Sequence, residues 1–320
     1  MKISILLPFR NAAPWIVETI QSIQDQTHEN WELLAVNDHS TDGTLSLIRS
    51  AEDPRIQILT NEDEGIIPAL QTGLKAATGA FTTRMDADDL MPKDKLKLLL
   101  SAIEGQRHVV TGKVRYFSDS VVSEGYKKYE DWLNERCDQK DHFDHVYREC
   151  VVASPNWLVA TKFLRQDKIF DQLQYPEDYD MTFLWKRLGY EIGVVNEVTH
   201  LWREHPQRTS RNSQTYNQAS FFHLKLSWFQ RNEKGKTLGV FGTGSKGKMV
   251  IDQLKDAYEI HWFDHEHSRY GAPLNGYAIE DPMKCNCDLL LLAIYPENKM
   301  RLENLVTHLG YEFGKTVWYV

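Results

Sequence analysis

The sequence predicts an α/β protein: a mostly parallel sheet flanked by helices, followed by a smaller α/β domain. Three observations lead to this prediction. Short apolar runs alternate with amphipathic segments from Ile3 to Arg84, which is the pattern of repeated β-α-β units. A glycine-rich turn between an apolar run and a helical segment repeats this pattern at residues 237–254. Polar residues also follow several apolar runs directly, as ligand-binding residues do at the carboxyl ends of parallel strands.

The first part of the chain contains four predicted strands and three predicted helices. Strands are expected at 3–7, 31–36 and 56–59, with a fourth directly before the acidic residues 86–89, and helices at 13–26, 44–50 and 65–77. Four polar residues come just after predicted strand ends: Arg10, Asp38, Asn61 and Asp86. Because parallel strands end at one edge of a sheet, we expect these side chains to converge. Residues 112–150 show no regular motif.

Bulk properties exclude several classes of protein. The 320 residues are 42% hydrophobic and 26% charged, which argues against disorder. The net charge of -8 disfavours a general nucleic-acid binder, so no nucleic-acid partner is expected. The four cysteines form no Cys-x-x-Cys pair and are expected to be free thiols in a reducing compartment. With no run of about 20 apolar residues and no secretion signal, we expect a cytoplasmic protein.

One acidic stretch concentrates charge, because Asp86, Asp88 and Asp89 lie within four residues. Like charges about 5 Å apart repel by about 3 kcal/mol at an effective dielectric constant of about 20. Two explanations are open at this point. Either solvent screens the carboxylates at a helix start, for which Pro92 is suited, or a divalent cation neutralises them.

Six segments, taken in order, resemble the motifs of family 2 glycosyltransferases: 5–11, 36–43, 65–79, 85–89, 176–180 and 202–210. The resemblance covers about residues 1–215, and we place the boundary of this domain at 1–211. It implies a GT-A fold and an inverting enzyme that uses a nucleoside-diphosphate sugar. It also implies an acceptor that is a glycan or a lipid-linked sugar, in the biosynthesis of a surface polysaccharide.

The resemblance assigns the acidic residues to the donor. Asp88 would bind Mn²⁺ or Mg²⁺, which neutralises the leaving diphosphate, and Asp86 would meet the ribose hydroxyls or a metal-bound water. Asp89 would support the site or cap the next helix. Asp38 would accept a hydrogen bond from the base, where a uracil and a guanine are both suitable. Its alternative role is an Asx turn, shared with its neighbours, that caps the following helix.

The first motif contributes Pro8, Arg10 and Asn11 to the expected donor site. Many relatives carry tyrosine at the position of Arg10, where the ring stacks on the base. A guanidinium stacks on a base or pairs with a phosphate, so donor binding is retained but its mode is open. Arg84 has two interpretations, since it either faces the diphosphate or balances the charge of Asp86.

The acceptor side is assigned to later motifs. The resemblance places the general base at Asp178, although acids at the start of the predicted helix 181–188 also serve as ordinary N-terminal caps. Glu177 is assigned to the acceptor side as well, where it orients the base or caps the helix. Trp157 is a candidate platform for the acceptor sugar, with burial in the core as the alternative.

A histidine completes the expected metal site. In relatives an Arg-x-His element closes over the diphosphate, and here it corresponds to Arg203 and His205, followed by Arg208 and Ser210. Imidazole suits Mn²⁺ better than Mg²⁺. His205 is therefore predicted as the second metal ligand beside Asp88.

The tail begins with an apolar segment, 212–236, which we expect to be a helical linker. It has two interpretations: an amphipathic helix in peripheral contact with the inner face of a membrane, or a helix packed on the first domain. The second is favoured because lysine and arginine are sparse within its apolar part.

The segment 237–320 resembles the small Rossmann-like modules of some sugar-processing proteins. It carries Gly242, Gly244 and Gly247 after a predicted strand, and Asp264 after the next one. About one mononucleotide-binding half fits in this length. A structural, assembly or acceptor-positioning role is favoured over nicotinamide chemistry. Binding of NAD(P) or a nucleotide sugar by this tail, and a non-catalytic carbohydrate-binding protein, are the rival hypotheses.

Overall fold

A computed structural model describes residues 1–294 and 299–320 of the chain. The chain divides into two compact units. The first consists of Met1–His142 and Val151–Tyr216, and the second of Phe143–Cys150 and Asn217–Val320. The short segment Phe143–Cys150 thus groups with the C-terminal part of the chain, although the sequence places it inside the first domain.

The first unit contains a seven-stranded sheet. Its strands are β1 (Ile3–Phe9), β2 (Trp31–Asn37), β3 (Ile56–Thr60), β4 (Phe81–Arg84), β5 (His108–Phe117), β6 (Trp157–Ala160) and β7 (Glu191–Arg203). They are arranged in the order β3-β2-β1-β4-β6-β5-β7. Every neighbouring pair is parallel except the two that involve β6, which runs antiparallel to β4 and to β5. The predicted mostly parallel α/β sheet is confirmed.

Eight helices accompany this sheet in the described chain. They are α1 (Ile16–Gln24), α2 (Thr44–Arg49), α3 (Ile66–Ala76), α4 (Lys95–Ser101), α5 (Glu124–Gln139), α6 (Thr161–Gln166), α7 (Glu177–Arg187) and α8 (Thr209–Asn212). Residues 112–150, in which the sequence shows no regular motif, contain the end of β5 and the whole of α5. The helix α5 buries only a narrow stripe that includes Trp132, Leu133 and Cys137, so its apolar periodicity is weak.

The interior strand β1 is buried along its whole length. Ile5 and Leu7 belong to a core cluster with Ile16 and Ile20 of α1. The alternate residue Leu6 faces α3, where a Cβ atom added at Gly73 would lie 3.1 Å from its side chain. Helices therefore cover both faces of the strand, as expected for a parallel sheet. Only the strand ends are left for polar groups that must meet a ligand.

The second unit contains a five-stranded, all-parallel sheet. Its strands are β8 (Thr237–Phe241), β9 (Glu259–Phe263), β10 (Ile279–Glu280), β11 (Leu289–Leu292) and β12 (Val317–Tyr319), in the order β10-β9-β8-β11-β12. Its helices are α9 (Gln218–Asn232), α10 (Ser245–Leu254) and α11 (Lys299–His308). A C-terminal α/β domain is therefore present, and its classification as Rossmann-like stays a prediction.

Helix α9 is part of the second unit rather than a separate linker. The ring of Phe229 lies 5.2 Å from that of Tyr147, 5.9 Å from that of Tyr258 and 5.5 Å from that of Trp318. Its apolar residues are buried by these contacts within the second unit, which explains their number without a membrane surface. No helix among the described residues has both the length and the apolar character needed to cross a membrane.

Candidate active site

The candidate site lies at the sheet edge where β1, β2, β3, β4 and β7 all end. These strands run in one direction, so the loops that follow them emerge on the same side. Those loops carry Arg10, Asp38, Asn61, Asp86 and His205. The convergence predicted from strand ends is therefore present, and the loop after β7 adds a histidine to it.

Asp38 lies at the end of β2 and is held by the loop after β3. Its Oδ1 accepts hydrogen bonds from Asn61 Nδ2 at 2.7 Å and from the Gly65 N–H at 3.0 Å. Gly65 has φ of 108°, which a residue with a side chain rarely adopts. The helix that follows is capped by another residue, since the Thr44 N–H donates to Asp42 Oδ1 at 3.0 Å. Asp38 is thus separate from the helix-capping role.

The loop after β1 is tied to the loop after β2. Asn11 Oδ1 accepts from the Thr41 N–H at 2.8 Å, and the Asn11 N–H donates to Ser40 Oγ at 3.1 Å. Arg10 is half exposed, with Nη1 2.5 Å from Glu64 Oε1 and 3.9 Å from Asp38 Oδ2. Pro8 is buried within β1. Arg10 is therefore accessible, whereas Pro8 is covered by its surroundings, and its contribution to donor binding stays a prediction.

The three acidic residues after β4 have three different partners. Arg84 Nε donates to Asp86 Oδ1 at 2.8 Å. Asp88 Oδ2 lies 2.8 Å from His205 Nε2. Asp89 is buried and forms hydrogen bonds with residues near the carboxyl end of β7. Burial raises the pKa of Asp86, against the nearby Arg84, and raises that of Asp89 well above its ordinary value.

Asp89 has a structural role behind the exposed edge. Its Oδ1 accepts from the Arg203 N–H at 2.8 Å, and its Oδ2 lies 2.9 Å from His200 Nε2. The other nitrogen of His200 is 3.4 Å from Lys95 Nζ, and burial lowers the pKa of Lys95 to about 7. These contacts join the loop after β4 to β7 and to α4. Asp89 therefore supports the site, which is one of its two predicted roles.

The pair of Asp88 and His205 fits a divalent cation whose other ligands come from substrate and water. The His205 ring lies 3.9 Å from that of Trp15, and its Nδ1 is buried with no hydrogen-bond partner among the described residues. A carboxylate oxygen with an imidazole nitrogen suits Mn²⁺. Within 1–294 and 299–320, no group of three His, Cys, Asp or Glu side chains forms a complete metal site. Sites of this kind use one or two protein ligands and substrate phosphates.

Two arginines flank this pair. Arg203 Nε donates to the main-chain oxygen of Asp88 at 2.8 Å, so it fixes the backbone that carries the carboxylate. The guanidinium of Arg208 lies 5.1 Å from the Trp202 ring and 5.4 Å from the Tyr126 ring. Its Nη1 is buried without a partner in the described part of the chain, which is unusual for a charged donor. The side chain of Ser210 lies outside the described residues.

Asp178 lies in the first turn of α7, and its Oδ1 accepts from the Tyr179 N–H at 2.8 Å. Burial and the neighbouring Glu177 raise the pKa of Asp178 to about 7, while Arg84 opposes the rise. A carboxyl group with this pKa exchanges a proton near neutral pH, which is the property that general-base catalysis requires.

Comparisons with known proteins identify the first unit. Residues 4–159 match the family model for Glycosyl transferase family 2. This part of the chain belongs to glycosyl transferase family 2. An uncharacterized glycosyltransferase of Rickettsia bellii is 27% identical over 219 residues, which cover 68% of this chain and 31% of that protein. The chain spans about a third of the length of the first curated relatives that it matches.

A second relative has a more specific name. The Escherichia coli protein WfgD, named a UDP-Glc:alpha-D-GlcNAc-diphosphoundecaprenol beta-1,3-glucosyltransferase, is 40% identical over 100 residues, or 31% of this chain and 40% of that protein.

Two solved structures share the fold. Staphylococcus aureus TarS 1-349 with UDP-GlcNAc has a TM-score of 0.55 at 20% identity, covering 72% of this chain and 66% of that one. The mannosyltransferase PcManGT from Pyrobaculum calidifontis, with GDP-Man and Mn²⁺, has a TM-score of 0.54 at 20% identity, covering 72% and 65%.

One family 2 prediction on the acceptor side needs correction. Glu177 is 2% exposed, and its two carboxylate oxygens are engaged, one by Arg84 Nη1 at 3.0 Å and the other by the Tyr216 hydroxyl. Its carboxylate is therefore not exposed to an acceptor, and its two predicted roles, orienting the base or capping the helix, stay predictions. The same contacts decide between the two interpretations of Arg84. The guanidinium balances Asp86 and Glu177 rather than facing a diphosphate.

Trp157 is also not an acceptor platform. It lies in β6 and is fully buried, with Nε1 donating to the Ser154 carbonyl oxygen at 2.7 Å. Its ring meets those of Trp185 at 5.9 Å and Phe170 at 6.5 Å in edge-on geometry. The residue is part of the core, because β6 is inserted between β4 and β5 and is covered on both sides.

Sequence reasoning missed several residues of this candidate site. The Trp15 ring packs at a tilt against that of His205, Tyr216 binds Glu177, and Lys95 and His200 lie behind Asp89. They come from four separate elements, so no spacing in the sequence links them. Tyr175 is different, because it directly precedes the motif at 176–180. A Cβ atom added at Gly65 would lie 2.8 Å from its hydroxyl group.

In the second unit, the glycine-rich turn is hydrogen-bonded to Asp264, which follows β9. Asp264 Oδ2 accepts from the Thr243 N–H at 3.1 Å and from the Thr243 hydroxyl at 2.6 Å, and Oδ1 accepts from the Glu266 N–H at 2.9 Å. These are the carboxylate oxygens that a bound ribose would need. Both oxygens of Asp264 thus already accept hydrogen bonds within the second unit, and the role of this unit stays a prediction.

Proposed function

We propose that the protein is a metal-dependent, inverting glycosyltransferase that moves a sugar from a nucleoside-diphosphate donor to an acceptor hydroxyl. One observation carries the proposal. The Asp88–His205 pair and the Asp178 carboxyl group, with its pKa of about 7, lie in the unit that contains most of the residues matched by the family 2 model. UDP is the favoured nucleotide, since the named relative WfgD uses UDP-Glc and a structure with the same fold holds UDP-GlcNAc.

The donor is expected to bind along the edge where β1, β2 and β4 end. Asp38 accepts a hydrogen bond from the base, and Asp86 accepts from the ribose hydroxyls. Arg10 is free to stack on the base or pair with phosphate once it leaves Glu64. Asp88 and His205 would hold a divalent cation, Mn²⁺ or Mg²⁺, which supplies positive charge to the leaving diphosphate.

The acceptor hydroxyl is activated by Asp178. Its carboxylate takes the proton from the hydroxyl as the oxygen attacks the anomeric carbon, on the face opposite the leaving group. A direct displacement of this kind inverts the anomeric configuration. Below a pH of about 7 the carboxyl group of Asp178 is protonated and cannot accept, so turnover should fall as the pH decreases.

We further propose a glycan or lipid-linked acceptor in surface polysaccharide biosynthesis. The name of WfgD specifies a diphosphoundecaprenol-linked acceptor, and a Bacillus subtilis relative, 37% identical over 98 residues, is named a putative teichuronic acid biosynthesis glycosyltransferase. With such an acceptor, we expect the reaction to occur in the cytoplasm at the inner face of the membrane, with peripheral association of the protein.

Ligand-dependent stability tests this proposal directly, because a ligand that binds the native state raises the melting temperature. We expect UDP with Mn²⁺ to give a larger rise than GDP or dTDP, and more than UDP alone. Asp88→Asn should remove the increment due to Mn²⁺. Asp252→Asn, an exposed position in α10, is the matched control and should keep it.

Two results would contradict the proposal. The first is the absence of any shift with UDP, GDP or dTDP at millimolar concentration, with or without Mn²⁺. The second is release of UDP from UDP-glucose at the wild-type rate by Asp88→Asn, since that carboxylate is expected to be required for turnover.

A further inference from the structure

A network of hydrogen-bonded polar groups connects the donor side of the site with the acceptor side. It begins at Asp86, whose Oδ1 accepts from Arg84 Nε at 2.8 Å. Arg84 Nη1 then donates to Glu177 Oε1 at 3.0 Å, and the Tyr216 hydroxyl donates to the other oxygen of Glu177. This network joins the end of β4, the start of α7 and the loop after α8.

Two residues of this network are almost completely buried. The side chains of Arg84 and Glu177 are 4% and 2% exposed. Buried charges are costly unless they are paired and hydrogen-bonded. Here one guanidinium serves two carboxylates, and the second oxygen of Glu177 is satisfied by a tyrosine hydroxyl. The geometry of the four groups is therefore strongly determined.

The position of Glu177 explains what this geometry controls. Glu177 is the first residue of α7 and directly precedes Asp178. Because Glu177 is held from two sides, the first turn of α7 is fixed relative to the strand end that carries Asp86. Neither the pairing of Arg84 nor the partner of Glu177 is evident from the motifs.

We propose that Arg84, Glu177 and Tyr216 are positioning residues that hold the Asp178 carboxyl group in a fixed relation to the donor-binding carboxylate of Asp86. The proposal rests on the proposed function, because Asp178 is the base of that reaction. The network also determines the charge around Asp178. The groups that face it are Glu177 and Asp86, which are negative, Arg84, which is positive, and the neutral hydroxyl of Tyr216.

The charge of the network predicts how the titration of Asp178 responds to substitution. Glu177 is among the causes that raise the pKa of Asp178, after burial, and Arg84 lowers it. Glu177→Gln keeps the shape of the side chain and removes a negative charge. It should therefore lower the pKa of Asp178, by about one pH unit for a like charge at this range.

NMR of protein labelled at the aspartate side-chain carboxyl carbon measures this pKa without any turnover. The Asp178 signal is assigned by its loss in Asp178→Asn. We expect its midpoint to move to lower pH in Glu177→Gln and to stay in place in Glu191→Gln, a matched change at an exposed residue at the start of β7. An unchanged midpoint in folded Glu177→Gln would overturn the proposal.

A second variant tests positioning without a change of charge. Tyr216→Phe removes one hydrogen bond to Glu177, and we expect kcat for UDP release from UDP-glucose to fall about 10-fold, with the Kd for UDP unchanged. A lower melting temperature with unaltered kcat would show that Tyr216 is merely structural and would overturn its assigned role. This variant also keeps the test available if Glu177→Gln does not fold.

The two proposals fail in different ways. If the wild-type protein releases no UDP from any donor while the Asp178 midpoint still moves in Glu177→Gln, the proposed function is wrong and the network stands. If the wild-type protein turns over and neither variant changes the midpoint or kcat, the network has no positioning role and the proposed function stands.

Discussion

The two edges of the seven-stranded sheet, formed by the amino ends and the carboxyl ends of its parallel strands, shift the pKa values of carboxyl groups in opposite directions. At the amino ends, Glu32 accepts hydrogen bonds from Lys2 Nζ at 2.6 Å, Ser4 Oγ at 2.5 Å and the Thr78 N–H at 2.6 Å. These donors outweigh burial and lower the pKa of Glu32 to about 2. At the carboxyl ends, burial and neighbouring acids raise the pKa of Asp178 to about 7.

The difference shows what each end is built for. A carboxylate saturated with donors is more stable in the folded protein than in the unfolded chain, so Glu32 stabilises the fold. Carboxylates that are crowded and desolvated destabilise the fold, but they gain a proton affinity and a charge that a substrate or cation can use. Within one sheet, the amino ends contribute stability and the carboxyl ends contribute chemistry.

The largest expected effect comes from removing the charge of the base. Asp178→Asn should reduce kcat by about 1,000-fold, within the usual range for loss of a general base, and leave UDP affinity unchanged. The same change should raise the free energy of unfolding at pH 8 by about 1 kcal/mol, because the folded protein no longer carries that desolvated charge. UDP release and urea unfolding measure the two effects. Wild-type kcat in the variant would exclude Asp178 as the base.

At the amino ends of the strands, removing a carboxylate is expected to change the free energy of unfolding in the opposite direction. Glu32→Gln should lower the free energy of unfolding by about 2 kcal/mol, since it loses charge-assisted hydrogen bonds to Lys2 and Thr78. Melting of the UDP complex should still show the full ligand-induced shift. If this variant and Asp178→Asn change stability in the same direction, the contrast between the two ends is wrong.

Lowering the pH tests the stabilising role of Glu32 in a second way, because it protonates the carboxylate gradually. Because the folded pKa of Glu32 is depressed, its stabilisation is present above the ordinary value of about 4.5 and is lost as the pH falls toward about 2. The stability difference between wild type and Glu32→Gln should therefore shrink across this range. Urea unfolding at several pH values measures it, and a difference that is independent of pH would assign the effect to packing instead.

The smallest effect is expected at an exposed pair on the functional edge. Arg10 and Glu64 are 50% and 69% exposed at the side chain, so their ion pair contributes little to stability. Glu64→Gln should leave the melting temperature unchanged within about 1 °C. It should raise UDP affinity about 3-fold, because the Arg10 guanidinium is then available to the nucleotide. Weaker UDP binding would show that Glu64 itself helps to hold the donor.

The parts of the fold that could be predicted have strong local signals. The apolar runs that become β1, β2 and β3 contain only one polar residue each, and polar residues come soon after each of them, so their common edge was predictable. By contrast, β5 mixes apolar and polar residues and α5 buries only a narrow stripe, and both were missed. Local patterns fail where an element is stabilised mainly by contacts with distant residues.

The site shows the same division. The motif at 85–89 identified the acidic residues, but only the folded chain distinguishes them: Asp86 pairs with Arg84, Asp88 with His205, and Asp89 with His200. These partners lie on other strands and loops, up to 117 residues away in the sequence.

The sequence by itself determined the fold class, the edge of the sheet that carries the site and the chemical types of its residues. These follow from hydrophobic periodicity and from motifs, which are properties of neighbouring residues. Only the tertiary structure decided that Trp157 belongs to the core, that Glu177 is a buried partner of Arg84 and Tyr216, and that α9 belongs to the second unit. Burial and charge pairing depend on residues brought together by folding, and a linear pattern does not contain them.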